Sequence, residues 1–197
     1  MKGVLQILVS FFITVGCIVQ LIPACLNIRR DVYSPENEEA IRLNAVLIAD
    51  MHTDANPVRD RNNIIRRSLS GISRCSDDLD ALVIAGDITN SGSEKEYFYL
   101  SGMLKVYNKT EFILPEIGNH DSRGTSEDKD YETAAELFLR FCNESKIATE
   151  RVYYSSQING YYFISLGTEK ALENEAFISQ EQLEWLNETL SLAENSG

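Results

Sequence analysis

Three short apolar runs, separated by segments with helical patterns, limit this chain to a small set of folds. The runs cover residues 44–49, 80–85 and 111–117, and the segments between them cover residues 59–75 and 93–107. Strands that alternate with helices favour an α/β fold with a parallel sheet and right-handed crossovers. We therefore predict a βαβαβ core.

Two of these runs carry further information about the sheet. The run at residues 44–49 is apolar throughout, which is typical of a strand buried on both faces. Pro115 lies inside the third run and indicates a sheet edge or a bulge, because proline cannot donate a ladder hydrogen bond. Ser93 precedes the second helical segment and is a plausible N-cap.

The second half of the chain predicts two more helices and a hairpin. Asn159-Gly160 stands between two aromatic runs, which is a strong signal for a two-residue hairpin turn. The predicted strands on either side of it cover residues 151–155 and 161–165, and the predicted helices cover residues 131–145 and 179–192.

The N-terminal segment differs from the rest of the chain. No charged residue lies between Lys2 and Arg29, so this run exceeds the about 20 apolar residues that a bilayer core requires. An uncleaved anchor and a secretion signal fit it equally well, lipidation at Cys25 fits less well, and a buried core helix fits worst. We expect a signal peptide or transmembrane anchor at residues 1–28, a linker at 29–43 and the folded domain at 44–197.

This division predicts a protein that is membrane-anchored or exported, and contact with a membrane through the N-terminal segment. Positive residues flank the segment on both sides, so the side of the membrane stays open. The formal net charge of -12 argues against a nucleic-acid-binding surface, which needs clustered Lys and Arg, and is compatible with a site that gathers cations. Cys75 and Cys142 are expected to be buried thiols rather than a disulfide.

Acidic, amide and imidazole side chains follow each of the three predicted strands. The carboxyl ends of neighbouring parallel strands open on one crevice, so these side chains are expected to meet there. Both histidines of the chain are in this set, which makes a packing role a poor explanation for them. Such side chains are ligands for divalent ions such as Mn, Fe, Zn or Co. The expected set is Asp50, His52, Asp87, Asn119 and His120.

The order Asp50-x-His52, Gly86-Asp87 and Gly118-Asn119-His120-Asp121 resembles the calcineurin-like metallophosphoesterases. The resemblance begins near residue 44 and includes the helix around Trp185. It implies a metallophosphoesterase-like α/β sandwich and two divalent metal ions. Asp50 and His52 would bind the first ion, Asp87 would bridge both and Asn119 would bind the second. His120 would protonate the leaving oxygen or stabilise charge on the phosphate, and Asp121 would orient His120.

The sequence also departs from this family. Members supply further histidines after the third motif, in a lone His and a Gly-His-x-His segment, and no histidine follows His120 here. We therefore expect an incomplete sandwich, truncated at its C-terminus, with impaired metal affinity.

The sequence after the second and third motifs narrows the reaction class. Asp87 is followed by Ile88-Thr89-Asn90 rather than the Asp-Arg-Gly turn of the protein phosphatases in this superfamily, and the third motif ends in Asp121 rather than Glu. This disfavours a protein substrate and favours a small phosphate ester. The expected function is metal-dependent hydrolysis of phosphate mono- or diesters; the alternative is a pseudo-enzyme or impaired fragment that binds metal weakly.

Overall fold

The computed structural model describes residues 42–75, 78–123 and 130–196, and the predicted alternation of strands and helices is present in them. In chain order the elements are strand β1 (Ala45–Ala49), helix α1 (Asp60–Cys75), strand β2 (Ala81–Ala85), helix α2 (Glu94–Tyr107), strand β3 (Phe112–Pro115), the short helix α3 (Asn119–Ser122), helix α4 (Tyr131–Glu144), strands β4 (Tyr154–Ile158) and β5 (Tyr161–Ser165), and helix α5 (Gln180–Ser196).

The first three strands form a parallel sheet in the order β1-β2-β3. Ala81 of β2 pairs with Ala45 on one side and with Phe112 on the other, so all three strands end at the same edge. Pro115 is the last residue of β3, which is an edge strand of this sheet within the described residues. The α/β class, the βαβαβ core and the edge position of Pro115 are therefore confirmed.

The core lies around the central strand β2. Leu82 and Ile84 are fully buried there and belong to the same apolar cluster as Leu69 of α1 and Leu100 of α2. Burying side chains of this size contributes about 1.5–3 kcal/mol each. Packing of the two crossover helices on β2 thus fixes the sheet and the position of its carboxyl edge.

The prediction that strand β1 is buried on both faces was wrong. Its apolar sequence predicted burial on both faces, but Leu47 is 67% exposed, and Ala45 and Ala49 on the same face are exposed too. The physical reason is its edge position: β1 pairs with β2 alone among the described strands, and alternate side chains point away from the core. An apolar sequence shows that a strand can be buried, but the neighbouring elements decide which of its faces are buried.

The β4–β5 hairpin is antiparallel and closes through Asn159 and Gly160, whose φ angles are 51° and 87°. Ile158 pairs with Tyr161 directly beside the turn. A two-residue turn forces this register, so the first strand covers residues 154–158 and the prediction of 151–155 was three residues early. The Tyr154 hydroxyl donates to the Pro115 carbonyl (2.8 Å) and ties the hairpin to β3.

Helix α5 is fastened to the segment after β5 by one buried amide. Gln182 accepts from the Gly167 N–H (3.0 Å) and donates to the Gly167 carbonyl (2.8 Å) and to the Glu169 carboxylate (2.8 Å). Gln182 has no exposed surface, and both polar atoms of its buried amide have hydrogen-bond partners. The C-terminal helix is thus held by specific polar contacts as well as by apolar packing.

The predicted signal or anchor at residues 1–28 lies outside the described residues. Among the helices of the described ranges, none combines the length and the apolar character needed to cross a bilayer. Cys142 is a buried free thiol, and burial raises its pKa to about 12. This confirms the expectation of a buried thiol at that position.

Candidate metal centre

Two loops at the carboxyl edge of the sheet run side by side: loop 1 (residues 50–59) follows β1 and loop 2 (residues 86–93) follows β2. The His52 N–H donates to the Asp87 carbonyl (2.8 Å), and the Thr53 N–H donates to the Ile88 carbonyl (3.0 Å). In return, the Asn90 N–H donates to the Thr53 carbonyl (3.0 Å). These bonds extend the parallel pairing beyond the strands and fix the two loops in register.

Three candidate site residues in these loops adopt left-handed backbone conformations. The φ angles are 52° for Asp50, 45° for His52 and 45° for Asp87. A side chain in this region costs about 1–3 kcal/mol and persists only where the surroundings enforce it. Such residues concentrate at functional sites, so this backbone geometry singles out the same residues that the sequence motif does.

Loop 3 (residues 116–123, with helix α3 inside it) follows β3 and touches loop 2 through Gly118. A Cβ atom on Gly118 would lie 2.2 Å from the Asp87 nitrogen and 2.3 Å from Asp87 Oδ1. Only glycine allows this approach, and the His120 N–H then donates to Asp87 Oδ1 (2.9 Å). Asp87 is thereby held between loop 2 and loop 3.

Asp121 joins loop 3 to loop 2 from inside the protein. Its buried carboxylate accepts from the N–H groups of Gly118 (2.9 Å), Ile88 (3.0 Å) and Thr89 (2.8 Å) and from the Thr89 hydroxyl (2.6 Å). Burial raises the pKa of Asp121 to about 6, against the opposing effect of these four donors. Its contacts make Asp121 a clamp on the loop backbones.

The His120 ring contacts Asn90, and the role of Asp121 as the group that orients His120 stays a prediction. His120 Nδ1 lies 2.8 Å from the Asn90 carbonyl oxygen, and the carboxylate oxygens of Asp121 are occupied by other donors. The carbonyl can only accept, so this contact places a proton on Nδ1 and leaves Nε2 as the nitrogen with a free lone pair in the neutral ring. Asn90, three residues after Asp87, thus sets the His120 tautomer.

The loops bring three of the predicted residues into one group. Ligand atoms of His52, Asp87 and His120 all lie within 4.8 Å of one another. His52 Nε2 is 3.7 Å from Asp87 Oδ2 and 3.9 Å from Asp50 Oδ1, and the two imidazole rings meet edge to face with centroids 4.4 Å apart. Asp50 stands at the rim, where its side chain is 73% exposed.

The protonation of His52 suits metal binding. Desolvation lowers its pKa, the neighbouring His120 lowers it further, and the opposing effect of Asp87 does not reverse the shift. A neutral imidazole is the form that binds metal. Among the described residues, no hydrogen-bond partner meets the buried His52 Nδ1, and Nε2 faces two carboxylates. Two imidazoles and carboxylate oxygens at these spacings fit a divalent cation of the transition series.

Asn119 lies beside this group and contacts a segment that the sequence analysis did not place near the site. Its Nδ2 donates to the carbonyl of Glu173 (2.7 Å), in the connection between β5 and α5. Engagement of the amide nitrogen leaves the amide oxygen as the atom suited to a cation. The role of Asn119 as a ligand of a second ion stays a prediction.

Two further residues at the centre were missed by the sequence analysis. Asn90 touches His120 as described, and Arg61 donates from Nη1 to the His52 carbonyl (3.3 Å) and to Asn90 Oδ1 (2.8 Å). The sequence analysis gave Arg61 no role in the site. Its position as the second residue of α1, directly after loop 1, was the one available signal.

Comparisons with known proteins identify the family of this chain. No curated protein matches the sequence. The structure is similar to that of a phosphopantetheinyl hydrolase from Mycobacterium tuberculosis, with 13% sequence identity and a TM-score of 0.41. The matched region covers 79% of this chain and 64% of the hydrolase chain. The chain thus spans less than two thirds of that protein's length. The calcineurin-like phosphoesterase profile matches residues 43–196, and the chain belongs to that family.

Proposed function

We propose that this protein hydrolyses phosphate mono- or diesters with a water activated by divalent metal ions. The observation that carries the proposal is the convergence of His52, Asp87 and His120 at the carboxyl edge of the sheet, with ligand atoms within 4.8 Å. Family membership supports a metal-dependent phosphoester hydrolase in general.

The donor set suggests which residues would hold the cations. Asp50, His52 and Asp87 would bind one ion, and Asp87 with Asn119 would bind a second; Mn, Fe, Zn and Co all suit these ligands. Bound ions would supply the Lewis acidity that polarises a phosphate and lowers the pKa of a water.

The chain's own residues perform the remaining tasks. Asp87 takes the His120 N–H on Oδ1 and keeps Oδ2 towards His52, so its backbone and both oxygens are fixed before a ligand arrives. The Asn90 carbonyl fixes Nδ1 of His120, and Nε2 of the protonated ring is then the atom that delivers a proton to the leaving oxygen. Preorganisation of this kind lowers the reorganisation that the reaction requires.

The substrate class follows from what the second loop contains. Ile88-Thr89-Asn90 supplies no cation, in contrast to the Asp-Arg-Gly turn of protein phosphatases, and supports a small phosphate ester rather than a phosphoprotein. The net charge of -12 disfavours nucleic acid. We further propose an anchored or exported location, which rests on the uncharged run between Lys2 and Arg29.

A second candidate function is weak metal binding without turnover. The observation that favours it is the histidine count: the chain has two, both are already in the group, and the family motifs call for more. With fewer imidazoles, the carboxylates Asp50 and Asp87 and the amide of Asn119 would have to complete two coordination shells.

One experiment separates these two functions. The full-length chain, purified in detergent, is titrated with Mn²⁺ by calorimetry and assayed with an aryl phosphodiester and an aryl phosphomonoester. Hydrolysis that depends on Mn²⁺ and disappears in Asp87→Asn, while the exposed-residue control Glu150→Gln retains it, supports the enzyme. Weak binding of Mn²⁺ without hydrolysis supports the second candidate, and activity in Asp87→Asn contradicts the mechanism.

A further inference from the structure

We propose that Arg61 is a positioning residue of this centre, which locks loop 1 to loop 2 and thereby holds the His120 ring in its working orientation. Its importance for turnover rests on the proposed function, whereas its effect on the ring does not. The proposal starts from one atom: Arg61 Nη1 donates both to the His52 carbonyl in loop 1 and to Asn90 Oδ1 in loop 2.

The two acceptors of Arg61 each lead to an imidazole. One is the backbone carbonyl of His52 itself. The other is the side chain of Asn90, whose own backbone carbonyl lies 2.8 Å from His120 Nδ1. A single guanidinium therefore fixes the residue that orients His120 and, at the same time, the backbone of the other histidine.

The neighbouring arginines show that this contact is not a general property of the helix. Arg59, two residues earlier, is exposed as Arg61 is, but it pairs with the Asp54 carboxylate (3.9 Å) instead. No acidic side chain pairs with Arg61 in the part of the chain that the structure describes, and its acceptors are both neutral groups of the site loops. Hydrogen bonds from a charged donor to neutral acceptors are strong, and a planar guanidinium holds them in fixed directions.

The strained backbone of loops 1 and 2 needs tertiary contacts such as those of Arg61. His52 and Asp87 adopt left-handed angles, which relax unless tertiary contacts enforce them. The Thr53 and Asn90 backbones already bond each other, and Arg61 adds a side-chain bridge across the same two loops. Without it, Asn90 would lose its side-chain partner in α1, and its carbonyl would hold His120 Nδ1 less firmly.

Nuclear magnetic resonance of the histidine rings provides a test that does not depend on activity. The chain contains only two histidines, so a ¹⁵N-labelled full-length sample gives two ring systems. The spectra are recorded in detergent, without metal, at alkaline pH, where an imidazole is neutral. Wild type is expected to show His120 as one dominant tautomer with the proton on Nδ1.

The variants are Arg61→Met, Arg61→Lys and Asn90→Ala, with Arg67→Met as the matched control on the same helix. Arg61→Met and Asn90→Ala should each shift the His120 ring nitrogens towards the average of two tautomers, Arg61→Lys should restore part of the wild-type signal, and Arg67→Met should change nothing. If the His120 signals in Arg61→Met and Asn90→Ala coincide with those of wild type, the proposal is wrong.

Enzyme kinetics provide a second test of the role of Arg61. If the chain is active, Arg61→Met should lower kcat by about 10–100-fold with little change in KM, because displacement of a catalytic group by about 1 Å can cost about 100-fold. An equal kcat in Arg61→Met and Arg67→Met would overturn the importance of Arg61 for turnover. If no variant and no wild type has activity, the proposed function fails while the ring spectra still decide the role of Arg61.

Discussion

The loops at the carboxyl edge of the parallel sheet and the β4–β5 hairpin both contain left-handed residues, but they hold them in different ways. In the hairpin these residues are Asn159 and Gly160, the types that accept positive φ at small cost. In the loops they include Asp50, His52 and Asp87, which lie in no two-residue turn and hydrogen-bond to a neighbouring loop. The hairpin turn is therefore encoded locally, whereas the site loops depend on contacts from distant parts of the chain.

Those distant contacts are mostly polar and cross from loop to loop. Loop 1 bonds to loop 2 through backbone groups, and the carboxylate of Asp121 ties loop 3 to loop 2 from within. A change at one of these contacts should disturb both stability and metal binding. A change in the hairpin or in α5 should disturb stability alone, and the following predictions test this difference.

The largest effect is expected for Asp121→Ala. The substitution leaves three N–H groups and one hydroxyl buried without their acceptor, which should lower the free energy of unfolding by about 3–5 kcal/mol. Denaturant titration of the full-length chain measures this loss, with Glu150→Ala as an exposed control that should stay within about 0.5 kcal/mol of wild type. A loss below about 1 kcal/mol would show that Asp121 is not the clamp described.

Gly118→Ala should have the next largest effect, because it should weaken Mn²⁺ binding as well as stability. The new methyl group would overlap the backbone and carboxylate of Asp87, so Asp87 must move; we expect a loss of about 1–3 kcal/mol in stability and at least about tenfold in Mn²⁺ affinity. The matched control is Gly102→Ala in α2, where no atom of the described residues lies within 4 Å of the new Cβ and a gain of about 0.5–1 kcal/mol is expected. Calorimetry with both variants separates the two cases. Unchanged Mn²⁺ binding in Gly118→Ala would argue against Asp87 as a ligand.

The same contrast explains what could be predicted from the sequence. The hairpin turn and the alternation of strands and helices follow from local patterns, as at Asn159-Gly160 and the buried run of β2. The motif around Asp50, Asp87 and His120 could be found because each residue follows a strand, and parallel strands end at one edge.

The missed features have in common that they depend on tertiary contacts. The exposed face of Leu47 could not be predicted, because an apolar strand says nothing about which element covers it. Arg61, Asn90 and the Glu173 carbonyl reach the centre from a helix, a loop and a distant connection, and a polar residue in such places is more often solvated. The acceptor for His120 Nδ1 is a backbone carbonyl, which no side-chain motif can reveal.

Gln182→Ala probes the region away from the centre. It removes the buried amide that satisfies both backbone groups of Gly167, and an expected loss of about 2–3 kcal/mol in the free energy of unfolding follows from these unsatisfied groups. Denaturant titration gives the stability, and calorimetry in the same buffer should give wild-type Mn²⁺ affinity. The exposed neighbour Glu181→Ala serves as the control on the same turn of α5. Impaired Mn²⁺ binding in Gln182→Ala would show that the two regions are coupled.

Gly160→Ala should have the smallest effect, and it is the cleanest test of local encoding. No described residue comes within 4 Å of the place where a Cβ on Gly160 would lie, so the substitution adds only the strain of a φ angle of 87°. We expect a loss of about 1 kcal/mol, read as a lower denaturant midpoint with an unchanged slope. Because the neighbouring Asn159 keeps its own left-handed conformation, the hairpin register should survive and the metal centre should bind Mn²⁺ as before. A loss as large as that of Asp121→Ala would mean that the turn, too, is held by distant contacts, and the distinction between the two regions would fail.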